Sequence, residues 1–466
     1  MIQYFLILTL PSVIKYLYDY LHTNNLGPIP LPVLGNILLL LKNYENRLDY
    51  FTDLVTKYGN SCRIYLPHIF GFKRWIFINN CKSIKYVLKD NFNNYPKGQE
   101  FHDIFEELLG NGIFNSDGCV WASQRKISSY KFNVRSLRDY MTEIFCRQSD
   151  EIIKKIEIEH FPKNKANVFN IKKYFYDYTL NSIFEIGFGL QIDDIVNYNI
   201  FADSFDLVQP LFEYRFINPF WKLQRIMCIG YEYSIKVYTK IINNLVYDLI
   251  QNKKEIGNDI LSQFKKNNIS DQKLRDIMIN FLIAGRDTTA CLLTRACYLL
   301  LQNKEWKDKI LEEFNSYNKY DYETMTKLKY MKAFLYECIR LYPPVPKNSK
   351  IALNNDILPC GTEILKGDRI IFSPYSVGRD PQYWQDTLKF NPDRWLNEES
   401  SNLNSYKFLG FNAGYRTCLG KNMAILEASI MLIKLLKNTK IELIDNYIKE
   451  KHGLLLDMQY LYVEFK

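Results

Sequence analysis

The chain has 466 residues and 47% apolar content, enough for a large core, and no stretch after residue 36 is rich enough in Gly, Ser or Pro to split it into domains. Its net charge of +9, from 60 basic and 51 acidic residues, is spread along the whole length, which argues against a nucleic-acid partner. Ten cysteines are scattered with no CxxC pair, and none lies at zinc-finger spacing from the five histidines, His22, His68, His102, His160 and His452. That pattern excludes a disulfide scaffold and indicates a reducing compartment with most thiols buried as small apolar groups.

In chain order, residues 1–21 read "MIQYFLILTLPSVIKYLYDYL". The run is apolar to residue 14, but Pro11, Lys15 and Asp19 leave it short of the ~20 apolar residues of a full span. It lacks the basic start and small-residue cleavage site of a signal peptide. A membrane anchor is expected, spanning or lying in the interface. Its lysines follow the apolar run and would leave the remaining chain cytosolic. Residues 22–36, with "GPIPLPVLGN", form an expected proline-stiffened hinge. Residues 37–466 are expected to form one mainly α domain with minor β.

Strands are expected at "RWIFIN" near residue 76 and "RIIFSPY" near residue 371. "WASQR" sets Trp121 and Arg125 four apart on one helical face. "RKISSYKFNVRSLR", from Arg125 to Arg138, is basic, and no catalytic motif falls between 190 and 270. The long apolar helix "LRDIMINFLIAGRDTTACLLTRACYLLLQ" holds "AGRDTT", Ala284 to Thr289. Its acid and hydroxyls cost free energy there unless satisfied, and back-bonding to the preceding turn is the plainest way to satisfy a hydroxyl. "ECIR" places Glu337 and Arg340 at i and i+3, "PPVPKNSKIA" contains Lys350, and "FNPDRW" contains Arg394 beside Asp393.

"FNAGYRTCLG", Phe411 to Gly420, sets one cysteine among glycines just before a helix. A thiol binds metal as a thiolate. Gly414 and Gly420 allow close backbone approach, the following helix N-terminus favours negative charge, Arg416 is a nearby cation, and Phe411 could shield the sulfur. The pattern F-x-x-G-x-R-x-C-x-G fixes five positions, and a chance match in the chain is roughly one in ten thousand. A buried structural cysteine is the bland alternative.

This loop resembles the haem-binding loop of the cytochrome P450 superfamily, and the resemblance extends over essentially all the chain after residue 27. It implies a single large cytochrome P450 fold with an N-terminal anchor, and Cys418 as the proximal thiolate ligand of haem b iron. It implies that Trp121, Arg125 and Arg416 bind haem propionates, with Lys350 where the family often has Arg or His. Gly285 would open a groove for dioxygen. Thr288 would hydrogen-bond the oxygen being activated, and Asp287 would feed protons through water. Glu337, Arg340 and Arg394 would form a structural cluster.

No flavin or nicotinamide fingerprint is present, so electrons are expected from NADPH through a separate reductase, docked on the basic stretch 125–138 or elsewhere. The implied reaction inserts one atom of O2 into a lipophilic small molecule. The implied location is the endoplasmic reticulum membrane, with the catalytic domain facing the cytosol. "TLNSIFEIGFG" (Thr179–Gly189), "NPFWKLQRIMCIG" (Asn218–Gly230), "RDIMINFLIAGRDTTA" and "PYSVGRD" resemble the plant-type long-chain fatty-acid omega-hydroxylases. The alternatives are oxidation of another lipophile such as a sterol, an isomerase or dehydratase of lipid peroxides, and a non-catalytic haem binder.

Overall fold

The computed structural model describes residue 14 and residues 26–465, apart from 32, 60, 69–70, 161–167, 192–194, 196–197, 219, 255, 268, 397–403 and 445–448. The expected anchor, Ile14 aside, and residues 22–25 of the hinge lie outside the described residues. Helices dominate and the strands are short, as expected. The chain forms two compact units from interleaved stretches, which is why no linker marks them in the sequence. The first comprises Met1–Gly98, Arg340–Phe390 and Ser401–Cys418. The second comprises Gln99–Ile339, Asn391–Ser400 and Leu419–Lys466.

The first unit is built on α1 (Arg47–Tyr58) and four strands, β1 (Ser61–His68), β2 (Gly71–Ile78), β3 (Asn348–Ile351) and β4 (Arg369–Phe372), in the order β1-β2-β4-β3. β1 and β3 are antiparallel to their neighbours, and β2 and β4 are parallel, with Trp75 opposite Arg369. Side chains alternate across a strand. Cys62, Ile64, Phe77 and Ile371 therefore meet α1 through Phe51, Leu54 and Val55. Ile76, Ile78, Ile370 and Phe372 meet a second core that includes Leu88, Leu409 and Ala413. The described part of the hinge is fastened to β1. Arg63 N donates to Leu26 O at 2.6 Å, Asn36 N to Tyr65 O at 2.7 Å, and Tyr65 N to the Asn36 side chain at 2.8 Å.

The second unit is helical: α2 (Gln99–Leu109), α3 (Gly118–Ser129), α4 (Thr142–His160), α5 (Ile171–Phe188), α6 (Tyr198–Ile217), α7 (Trp221–Met227), α8 (Tyr231–Asn252), α9 (Asp271–Gln302), α10 (Lys329–Leu341, its last two residues in the first unit) and α11 (Lys421–Asn438). α9 runs 32 residues, about 48 Å at 1.5 Å per residue, and packs against α5, α8 and α11. It is long and apolar enough to cross a membrane, yet 78% of that window is buried in the protein, so it is read as the core helix. A three-stranded antiparallel sheet (Val168–Asn170, Tyr462–Phe465, Ile441–Leu443) and the hairpin Glu450–His452 with Leu456–Met458 complete this unit.

Candidate active site

In the first unit the thiol loop is closed by its own backbone. Cys418 N donates to Phe411 O at 2.8 Å, and the Thr417 hydroxyl to Gly414 O at 2.7 Å. Asn412 is left-handed at φ 57° and its side chain accepts from Ala413 N at 2.8 Å. Gly414 is left-handed at φ +65°, and a Cβ there would fall 2.3 Å from Leu88 O, so only glycine fits. Ala413 is buried in the sheet core, which anchors the loop. Phe411 is half-buried and meets Phe408 edge-on, with centroids 6.2 Å apart.

Cys418 is exposed, whereas Cys62, Cys81, Cys291, Cys297 and Cys338 are buried. Arg416 is buried beside it in sequence. Lys350, 2% exposed on β3, holds its ammonium 5.5 Å from the Phe92 ring, which in turn meets Tyr415 edge-on at 5.3 Å. Lys350 and the Tyr415–Arg416 turn are thus joined through one ring.

Among the described residues no group of three or more His, Cys, Asp or Glu side chains could hold a metal ion. Cys418 offers one exposed thiol, a donor suited to a metal whose other positions are filled by a macrocycle. The donor set fits haem and does not fit a bare ion.

In the second unit the site residues lie on α3 and α9. Trp121 is buried and Arg125 half-buried on α3, with the guanidinium 5.8 Å from the indole centroid, as the i, i+4 spacing requires. Between Leu274 and Leu300 on α9 every residue is buried except Ile283, Ala284, Gly285 and Thr288. These four form an accessible stripe halfway along a core helix. Thr288 donates its hydroxyl to Ala284 O at 2.7 Å, the local back-bond that satisfies a hydroxyl in an apolar helix. Gly285 has a packing cause: a Cβ there would lie 2.6 Å from Ile183 Cδ1 on α5. The room left by the missing side chain is taken by Ile183.

Asp287 points away from water. It is 2% exposed, and its Oδ1 accepts from Arg286 Nη1 at 3.1 Å while Oδ2 has no hydrogen-bond partner. Burial raises its pKa above the usual carboxylate range, against the lowering effects of the Arg286 charge and the nearby Gln209 amide. Arg286 Nη1 also bonds Asp206 of α6, and its guanidinium lies 4.9 Å from the Tyr176 ring.

Glu337 and Arg394 of the expected structural cluster meet in the second unit. Glu337 is fully buried; its Oε1 accepts from Arg394 Nε at 3.1 Å and Asn391 N at 2.8 Å, and its Oε2 from Trp395 Nε1 at 2.9 Å. Asp393 is exposed. In the first unit Arg340 donates to the carbonyls of Gly378 at 2.5 Å, Thr387 at 2.7 Å and Lys389 at 3.1 Å. Of the basic stretch, Lys126 is exposed and the Arg135 side chain is 87% exposed, whereas Lys131 is tied to Asn258 O at 2.8 Å.

Sequence reasoning missed three groups. Asp206 and Arg286 flank Asp287, and Trp395 completes the Glu337 cluster. Asp276 and Asn280, at i and i+4 on α9, bind the loop after α2: Asp276 accepts from Asn111 N at 2.8 Å, and Asn280 accepts from Phe114 N and donates to Leu109 O, both at 2.9 Å. The signal was there, as polar residues at helical spacing inside an apolar run.

The family model described as Cytochrome P450 matches residues 26–459. Cytochrome P450 704B1 of Arabidopsis thaliana is 32% identical over 495 residues, covering 93% of each chain. Cytochrome P450 94B1 of the same plant is 33% identical over 441 residues, covering 89% of this chain and 86% of its own. A cytochrome P450 monooxygenase, cyp1 of Mycosarcoma maydis, is 31% identical and covers 90% of this chain and 70% of its own.

Proposed function

We propose that this chain, which belongs to the cytochrome P450 family and is a monooxygenase, hydroxylates long-chain fatty acids at or near the terminal carbon. The observation that carries the chemistry is the accessible stripe Ile283, Ala284, Gly285 and Thr288 on an otherwise buried α9. One hydroxyl and three apolar positions suit a site where an alkyl chain and an activated oxygen meet.

Haem b, held through the Cys418 thiolate, supplies the oxygen chemistry, with electrons from NADPH through a separate reductase. By the resemblance, Arg416, Lys350, Trp121 and Arg125 are the groups suited to its carboxylates. Thr288 has only to turn its hydroxyl from Ala284 O to donate toward the stripe. Asp287 holds the proton to be delivered. Exposed Lys126 and Arg135 present positive charge to an acidic reductase.

The substrate class rests on two stretches outside the catalytic motifs. Thr179–Gly189 forms the end of α5 and packs on α9, Ile183 against Gly285 and Gly187 against Met278. Asn218–Gly230 includes α7, which turns Lys222 and Arg225 to Asp103 and Glu106 of α2 and leaves Phe220, Leu223 and Ile226 67%, 55% and 82% exposed. That exposed apolar face supports a membrane location, as do the nearly all apolar residues 1–14. We place the chain at the endoplasmic reticulum, facing the cytosol.

The test is product analysis. The chain is co-expressed with a reductase in membranes and given NADPH with a panel of long-chain fatty acids, and products are read by mass spectrometry. A terminal hydroxyl is expected. Conversion of sterols alone would replace the substrate class, and turnover of lipid hydroperoxides without NADPH would replace the reaction.

A further inference from the structure

Asp287 has two oxygens and one strong partner, and that partner is shared. Arg286 is 3% exposed and contacts both Asp287 and Asp206 through the same nitrogen, Nη1. The Asp206 side chain is 53% exposed and Asp287 is buried. One cation thus faces two carboxylates in unequal surroundings. With both ionised, the one guanidinium would have to offset two carboxylates, and only Asp206 of the two has water to share its charge with. Desolvation penalises charge most where burial is complete, so a proton held by the trio belongs on Asp287, the buried carboxyl.

The other groups facing Asp287 do not change this balance. Gln209 of α6 is neutral. Tyr176 of α5 and Cys291 of α9 are kept protonated by burial. Asp457 is paired with Lys172 at 2.5 Å and accepts from Tyr176 at 2.9 Å. Burial and the two nearby carboxylates, Asp206 and Asp457, all act to raise the Asp287 pKa, and Arg286 and Gln209 oppose them.

We propose that Asp206 is a positioning residue that keeps Asp287 protonated, and so ready to donate, by taking up the charge of Arg286. The step it serves moves one proton off Asp287 and makes or breaks no covalent bond; the proton is replaced from water. Without Asp206 the guanidinium would serve Asp287 alone and hold it as the carboxylate. This rests on Asp287 as a proton store and is independent of the substrate proposed above.

The test reads protonation directly, without substrate. Infrared spectra of the purified holo-protein in detergent, in H2O and D2O, should show a protonated-carboxyl band at pH 7 that is lost in Asp287→Asn; Glu427→Gln and Asp368→Asn identify the bands of two further buried acids that burial pushes up. In Asp206→Asn the titration midpoint of the Asp287 band should fall by about one pH unit or more. Asp206→Glu should restore it. A purely structural role for Asp206 would lower haem content or melting temperature and leave the midpoint where it was. Absence of the band in the wild type, or a midpoint unmoved in a folded Asp206→Asn, would overturn the proposal. Should Asp206→Asn fail to fold, Arg286→Gln decides: removing the shared charge should keep the band, and its loss would contradict the assignment.

Discussion

Thr288 spends its hydrogen bond on its own helix, at 2.7 Å from Ala284 O, while standing in the accessible stripe of α9. That local bond satisfies the hydroxyl, and one rotamer change would turn it toward the stripe. Thr288→Ala should leave folding and haem absorption intact and lower product per NADPH by about 100-fold, with electrons lost to peroxide. NADPH consumption measured beside product checks this, and normal coupling in the variant would remove Thr288 from the mechanism.

Glu427 on α11 raises a different point at the same scale. It is fully buried and both carboxyl oxygens lack a hydrogen-bond partner. Burial pushes its pKa well up, and the nearby Thr289 hydroxyl only partly offsets this. A carboxyl whose folded pKa lies above its unfolded value favours folding fully below the unfolded pKa, and that contribution is lost as pH rises through the folded pKa. Glu427→Gln should therefore flatten the fall of stability with rising pH. Chemical denaturation at several pH values tests it, and an unchanged slope would mean that Glu427 is ionised.

At the scale of elements, α9 explains both what the sequence made legible and what it hid. The run of apolar residues announced a core helix, and 271–302 is helical. The Cys418 loop, the helix after it and the strands near residues 76 and 371 were legible because their signals are local: glycine spacing, alternation and a helix start. The partners of Asp287 were not, because Asp206 lies 80 residues away from Arg286 and no local pattern encodes that pairing. Asp276 and Asn280 were visible as misfits in an apolar helix, but the loop they bind, 109–114, could not be read from their spacing. Gly285 was read as a groove by analogy, and its packing against Ile183 needed coordinates.

Two stability predictions follow from α9. Asn280→Ala leaves Phe114 N and Leu109 O without their partner and should cost about 1–3 kcal/mol. Gly285→Ala forces a methyl to within 2.6 Å of Ile183 Cδ1 and should cost about 1–3 kcal/mol, recovered in part by Ile183→Val or Ile183→Ala. Denaturant unfolding of the single and double variants measures both. Additive losses in the Gly285–Ile183 pair would show that the two side chains do not meet.

For the whole molecule, two units assembled from interleaved stretches explain how residues as far apart in sequence as Lys350 and Tyr415 converge on one ring, Phe92, and why chain order alone could not show it. Function at this scale also requires an electron donor. Reversing Lys126 and the 87% exposed Arg135 to Glu should raise the reductase concentration needed for half-maximal turnover by about tenfold at low salt, with less effect at high salt. Equal turnover at all reductase concentrations would move docking to another face.

The central claim is that Cys418, the exposed thiol of the closed loop, is the iron ligand that makes this chain a monooxygenase. The reduced carbon-monoxide spectrum of the full-length protein, with and without Cys418→Ala, tests it most directly. The wild type should give the thiolate-type absorption and the variant should lose it. The same spectrum in both would contradict the account.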